Sequence, residues 1–320
     1  MRFSRALLAL AALMFSLAGH AAFPDKPIKL IIGFSPGGPL DTHARLLVDK
    51  LQQSLGQPVI VDYKAGAGGS IGADFVAKSP ADGYTLLVAN TGTMVINPPL
   101  YTNLPYQTLR DFSPVARTAQ QPLALVVNND VPVKTLAEFI AYARKNPGKV
   151  NYGSAGNGGI SHLVPEMLKQ ATGIDMLHVP YKGTSPAFVD LLAGQVQFMA
   201  ESIPQVSQYV KSGKVRALAL TAAERNSALP DVPTMAEARV KNFVVVGFYG
   251  ILAPVNTPKD VVARLSLAFR DALESTEVKM RMTQSGADPA YLDAEKFTTY
   301  LQTESVRWAT AVKAAGVKLD

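Results

Sequence analysis

The side chains best suited to chemistry in this 320-residue chain stand in four short loops rich in Gly, Ser, Thr and Asn. They are Ser35-Pro36-Gly37-Gly38, Ala65-Gly66-Ala67-Gly68-Gly69-Ser70, Asn90-Thr91-Gly92-Thr93 and Ser154-Ala155-Gly156-Asn157-Gly158-Gly159-Ile160-Ser161. Each follows an apolar run. In open α/β sheets, ligands bind outside the carboxyl ends of the strands. Helix N-termini at that edge expose unpaired N–H groups and the positive end of the helix dipole. Glycine lets the backbone approach a ligand with no Cβ in the way. Together such loops make a cradle of neutral donors for an anion. One loop of this kind is an ordinary tight turn, whereas four at successive strand ends point to a binding cleft.

Three other chemistries compete for the same residues. Gly33-Phe34-Ser35-Pro36-Gly37 fits the G-x-S-x-G nucleophile elbow of a serine hydrolase. The elbow needs the backbone N–H after the nucleophile as an oxyanion donor, and Pro36 has none. His162 or His178 would also have to reach Ser35, and neither has an evident acidic orienter. Gly66-x-Gly68 suggests a dinucleotide fingerprint, but the third glycine of that spacing falls on Ile71. For a metal site, His43 lacks a partner at i+4, and His162 and His178 stand alone, so each reads as a packing or hydrogen-bonding histidine. His162, beside Ser161 at a helix start, retains a possible role as a donor to a ligand. The chain has no cysteine, which excludes disulfides, Cys-ligated zinc, iron–sulfur clusters and thiol catalysis. No cofactor and no metal are expected.

Composition narrows the class further. With 48% hydrophobic and 18% charged residues, the chain is globular rather than disordered. Its length suggests about two domains at roughly 150 residues each. Lys and Arg number 31 against 25 Asp and Glu, and no run of five or six basic residues occurs. That argues against nucleic acid as a partner, since its binding needs a clustered basic face. The net charge of +6 would help draw in a small anion, and plain solubility fits it equally.

Elements that could position the loops alternate along the chain. Ile28 to Phe34 suits a strand buried on both faces of a parallel sheet. Leu40, Ala44, Leu47, Leu51 and Leu55 recur at helical spacing until Gly56. Further strands are expected at 59–63, 84–90, 150–154, 176–181, 196–200 and 215–221, with helices at 70–78, 135–145, 161–170, 185–193, 204–211, 258–274 and 294–315. Thr135-Leu136-Ala137-Glu138 is a capping box. Repeated β–α–β units imply an α/β fold with parallel sheets covered on both faces. No flexible linker lies at mid-chain. Two domains are therefore expected to be joined by strands crossing between them, with 115–127 and 243–253 as the crossing segments. Residues 1–22 read as a secretory signal peptide: basic Arg2 and Arg5, a dozen apolar residues and small residues before the cut. The apolar run is shorter than the roughly 20 residues that span a bilayer. The mature chain is expected to be exported and soluble.

Several motifs in order give a family resemblance over the whole mature chain. They are Pro24-Asp25-Lys26-Pro27-Ile28 through Gly38 and Asp41, Gly66-Ala67-Gly68-Gly69, Asp82-Gly83-Tyr84-Thr85-Leu86-Leu87, Pro180-Tyr181-Lys182-Gly183, Ala193-Gly194-Gln195-Val196, Val232-Pro233-Thr234 and Ala253-Pro254. The chain resembles the Bug family, periplasmic solute receptors of tripartite tricarboxylate transporters. It departs from the common pattern at Gln197, Ala238-Arg239 and Asn256, which leaves ligand identity open. The resemblance implies a type II periplasmic-binding-protein fold with two lobes that close on a small carboxylate by a hinge. It also implies delivery to the membrane subunits of a transporter. A solute-sensing subunit would have the same site.

On this reading, residues 23–121 with 247–320 form one lobe, and 122–246 the other. The first would supply Ser35, Gly37, Gly38, Gly68 and Thr91, and the second Ser154, Asn157, Gly158, Ser161, His162 and Tyr181. One ligand carboxylate is expected against the N–H groups of the Gly37–Gly38 turn. Neutral donors avoid burying a cation as well as the ligand's charge. Asp41 is expected to complement its helix dipole and pin the loop, and Tyr181 to cover the ligand, while Lys182 reads as a surface or loop-bracing charge. Glu201, at a strand end facing the cleft, could bind an amine or hydroxyl of the ligand, or stand as a solvated carboxylate. A monomer is expected.

Overall fold

The computed structural model describes residues 23–315. The expected signal peptide at 1–22 lies outside them. In Ile28–Ile32 (β1), every residue but Lys29 is buried. Pro39–Leu55 (α1) starts with proline at its first position, where a missing N–H costs nothing, and stops at Gly56 with φ 69°. Its apolar stripe packs on the sheet. Val59–Tyr63 (β2), Ser70–Ala77 (α2) and Thr85–Asn90 (β3) follow. A wide helical turn, Gly92–Ile96, leads into Asn97–Leu100 (α3), and Thr108–Asp111 (α4) precedes the 17-residue strand Phe112–Asn128 (β4).

The middle of the chain alternates regularly. Leu136–Lys145 (α5) is capped by the Thr135 side chain, which accepts from the Glu138 N–H. Asn151–Ser154 (β5), Ile160–Thr172 (α6), Leu177–Pro180 (β6), Thr184–Leu192 (α7), Phe198–Ser202 (β7), Ile203–Lys211 (α8) and Val215–Leu220 (β8) come next. Val246–Pro254 (β9), Lys259–Glu274 (α9), Thr276–Ser285 (α10), Asp288–Leu292 (β10) and Ala294–Ala315 (α11) complete the order.

The strands run β2-β1-β3-β9-β4-β7-β5-β6, with β8 and β10 also paired to β4. The fold is the expected mixed α/β type, with one correction to its sheets. Parallel pairing is confined to β1–β2, β1–β3, β5–β6 and β5–β7. Every pair made by β4 or β9 is antiparallel. The cause is β4 itself. Its first part, up to Pro122, pairs with β9, and its second part, from Leu123, pairs with β7 and β8. The chain thus passes from one sheet to the other without a crossover helix. Pro122, which has no N–H to donate, sits where the partner changes.

The second crossing also differs from expectation. β9 begins only at Val246 and pairs within the first sheet. The link is made just before it. The Val245 N–H donates to the Thr221 carbonyl, the Leu123 N–H donates to Thr221 Oγ1 at 2.9 Å, and that hydroxyl donates to the Val245 carbonyl at 2.6 Å. Thr221, fully buried, staples the outgoing and returning segments side by side. One large apolar cluster runs through both sheets, from Ile31 and Leu87 to Phe139 and Phe198, and two smaller ones flank it: one around Leu30, Leu47, Leu265 and Phe269, the other around Phe188, Met199, Ile203 and Val206.

Candidate functional site

A cavity with about 620 Å³ of non-atom space, part of it open to solvent, lies where the two sheets meet. Its walls are built from helix starts. Gly38 to Asp41 open α1, Asn90 and Thr91 end β3 and begin the helical turn after it, Gly159 to Ser161 open α6, and Thr184 opens α7. The floor comes from the crossing strands: Gln121 of β4 and Gly247, Phe248 and Tyr249 of β9. Glu201 of β7 closes one side. No lysine, arginine or histidine is among the lining residues. Any favourable field for an anion must therefore come from the helix starts, whose first N–H groups have no partner within their own helix.

Two hydroxyl groups on this wall are held by acceptor roles that leave their protons available. Thr91 Oγ1 accepts from the Phe248 N–H at 2.7 Å, and Ser161 Oγ accepts from the Ala155 N–H at 3.1 Å. Each oxygen keeps its own hydrogen to donate. Ser35 is different: its hydroxyl donates to the Lys182 carbonyl at 2.8 Å. The α1 turn is pinned from inside. The Gly37 N–H donates to Asp41 Oδ2 at 2.8 Å, while Oδ1 accepts from Arg45 Nε at 2.8 Å and from the Tyr63 hydroxyl at 2.7 Å. The loop-pinning role expected of Asp41 is what the geometry gives. The same bond corrects the expected use of Gly37, whose N–H is already spent on Asp41. Gly38, with Leu40 beyond it, is what the α1 start brings to the cavity.

A second chamber adjoins the first, with Phe34 and Ala155 lining both. Gly68, Asn157, Tyr181 and Lys182 line it. Gly68 has φ 61°, and a Cβ there would fall 2.6 Å from the Asn157 carbonyl oxygen. Only glycine lets these two loops approach so closely. Tyr181 borders this chamber, and its hydroxyl donates to Asp190 at 2.6 Å.

Three expected residues lie behind the walls. Ser154 is fully buried, with its Oγ 2.6 Å from His178 Nε2. Gly158 donates its N–H to His162 Nδ1 at 3.1 Å. The His162 ring stacks on His178 at 3.9 Å between centroids, nearly parallel. The His162 position expected for a ligand donor is thereby corrected: the ring is packed, and one nitrogen accepts from the backbone. Burial lowers the pKa of His162 to about 4 and, with the neighbouring His162 as a second cause, that of His178 to about 3. His43, bonded to Thr118 Oγ1 at 2.8 Å, is lowered to about 4 by burial alone. No histidine makes a hydrogen bond to Ser35 among the described residues.

Glu201 is buried rather than solvated. Its Oε2 accepts from Thr184 Oγ1 at 2.7 Å and its Oε1 from the Ser202 N–H at 2.7 Å. Burial pushes its carboxyl pKa up, against these two bonds and the pull of the Ser202 hydroxyl. Sequence reasoning missed Phe34, Gln121 and the Gly247–Tyr249 segment. The isolated Gly247 within an apolar run was the available signal, since glycine in a strand often marks a close approach. A Cβ there would lie 2.9 Å from Ile160 Cδ1 and 3.0 Å from Thr91 Oγ1.

Comparison with known proteins bears on what such a cavity serves. The family described as "Tripartite tricarboxylate transporter family receptor" matches residues 43–317. Protein BugT of Bordetella pertussis is 38% identical over 320 residues, covering 98% of each chain. An R. palustris protein solved with adipate is 33% identical with a TM-score of 0.90, covering 92% of this chain and 99% of that one. MatC from Rhodopseudomonas palustris with bound malate is 34% identical with a TM-score of 0.86, covering 91% and 100%.

Proposed function

The chain belongs to the tripartite tricarboxylate transporter receptor family, and on that premise we propose that it captures a small carboxylate in the interlobe cavity and hands it, chemically unaltered, to the transporter's membrane subunits. The observation that carries this reading is the convergence of the α1, α6 and α7 starts and Thr91 on one cavity without a basic side chain. Backbone donors hold an acid without the cost of desolvating a cation beside it. Relatives solved with adipate and malate support the ligand class.

The division into lobes 23–121 plus 247–320 and 122–246 belongs to the same proposal. The partner switch of β4 at Pro122–Leu123 and the return at Thr221–Val245 are the two points where backbone rotation would open the cleft. The Gly38, Thr91 and Ser161 donors take the ligand in the first chamber, with Ser35, Gly68, Asn157 and Tyr181 closing over it. A ligand touching both lobes favours the closed form because only that form makes both sets of contacts. Export by residues 1–22, a periplasmic site of action, a monomeric state and the lack of a cofactor complete the reading. Ser35 donating to Lys182 is not poised as a nucleophile, so turnover is not part of it. A thermal-shift screen over small carboxylates tests the reading: at least one acid should raise the melting temperature saturably, and a flat response across the panel would remove it.

A further inference from the structure

The cavity assigned to an acid carries an acid of its own. Glu201 lines it with only 5% of its surface exposed. Thr184, which donates to Oε2, opens α7, and Ser202, whose N–H donates to Oε1, precedes α8. The carboxylate thus sits at the first turns of two helices, where partial positive charge favours an anion. A carboxylate offers about four acceptor positions, and these bonds use two. Among the described residues no salt bridge includes Glu201, and the remaining polar neighbours are Tyr249 and Ser202, neither a cation.

Asp41, the other acid on the wall, gives the contrast. Arg45, Tyr63 and the Gly37 N–H consume it. The cavity is therefore bipolar. Its wall carries neutral donors at the starts of α1 and α6 and at Thr91, and beside the start of α7 it carries an acceptor with no cationic partner. A ligand with nothing but carboxylates would bring a like charge to Glu201. A ligand with an ammonium group would supply the cation that the wall lacks, and a hydroxyl would supply a donor without the charge.

Resting on the carboxylate-receptor reading above, we propose that Glu201 is the specificity-determining residue and that the ligand class is an amino-substituted carboxylic acid, its ammonium group bonded to Glu201 and its carboxylate held at the helix starts. The hydroxy analogue ranks second and the unsubstituted acid last. Sites built to bond a polar substituent reject analogues that lack it, because their own buried group is left unpaired.

The test is calorimetric titration of the full mature chain with matched triplets of three to six carbons, such as aspartate, malate and succinate. The wild-type chain should bind the amino member of one triplet at least about tenfold tighter than the unsubstituted member, with the hydroxy member between. Repeating the titration in two buffers of different ionisation enthalpy should show no proton uptake. Glu201→Gln should bring the members of that triplet to within about threefold of each other. The inference is overturned if the unsubstituted acid binds as tightly as the amino acid, or if binding takes up a proton, which would mean a neutral Glu201 donating to a ligand carboxylate. An unchanged ratio in Glu201→Gln overturns it as well. The wild-type ranking decides even if that variant does not fold. Binding of no acid in any triplet would remove the carboxylate reading together with the inference, whereas binding in the wrong order would remove the inference alone.

Discussion

Ser35 and Lys182, 147 residues apart, meet between the two sheets: the Ser35 hydroxyl donates to the Lys182 carbonyl at 2.8 Å. Ser185 Oγ, near the start of α7, lies 3.5 Å from the Pro36 carbonyl beside it. These bonds join the loop before α1 to the loop before α7, and on the proposed division into lobes they form only in the closed arrangement. Removing the first should therefore shift the hinge equilibrium rather than damage a catalyst. Ser35→Ala is expected to weaken carboxylate binding by a few fold, in line with about 1 kcal/mol for a neutral hydrogen bond, with no change in ester hydrolysis. Calorimetry alongside an esterase assay checks this. A hydrolytic activity lost with Ser35 would revive the serine-hydrolase reading.

Asp41 concentrates several bonds in one buried carboxylate. Asp41→Ala releases the Gly37 N–H, the Arg45 guanidinium and the Tyr63 hydroxyl together. The expected cost is roughly 2–3 kcal/mol, as for hydrogen bonds to a charged group. In a chain of this size that lowers the melting temperature by roughly 3–5 °C. Affinity should fall too, since the turn presenting Gly38 loses its brace. A melting temperature within a degree of the wild type would contradict this network.

Acid should destabilise the fold through its histidines. Burial lowers His43 and His162 to about 4, and His178 to about 3, from 6.5. A histidine with a depressed folded pKa binds fewer protons folded than unfolded. The stability is complete above about pH 6.5 and drains away as pH falls toward 3–4. At pH 5 each histidine accounts for roughly 1–2 kcal/mol. Urea unfolding at pH 7.5 and pH 5 should show that loss, and His162→Gln should make it smaller. Equal stability at both values would mean that these rings are hydrated.

Glu201 should cost stability when the cavity holds no ligand. Its carboxyl is raised by burial, so the folded chain loses stability as pH rises through the interval between its unfolded and folded pKa values. Glu201→Gln removes the buried charge while the Thr184 hydroxyl can turn to suit the amide. Its melting temperature should exceed that of the wild type at neutral pH, and the gain should vanish in acid. Binding sites often keep such a destabilising group because function needs it. A variant less stable than the wild type at every pH would show that the carboxylate is structural.

Much of the fold was legible because its signals are local. The strands expected at 28–34, 59–63 and 84–90, and the helical stripe ending at Gly56, coincide with elements to within a residue or two. What escaped was set by tertiary context. Among its described side chains, Thr276–Ser285 turns only Val278 and Met282 fully inward, too few for a visible stripe. β10 contains Pro289 and survives at a sheet position with an irregular register. At the site, the Gly-rich loops were readable from type and spacing. The floor was not, because Gln121 and Phe248 look like any residues of long apolar strands until the crossing brings them beneath the loops. Ser154 and His162 illustrate the reverse error. Their residue types suit a ligand, but a short strand and a stacked ring turn them inward.

The most direct check on the receptor reading is titration of the mature chain with a panel of small carboxylates, followed by recovery and mass analysis of the acid that binds. A single saturable site, with the acid recovered intact after prolonged incubation, is expected. Recovery of a converted acid, or no heat from any carboxylate at millimolar concentration, would contradict it.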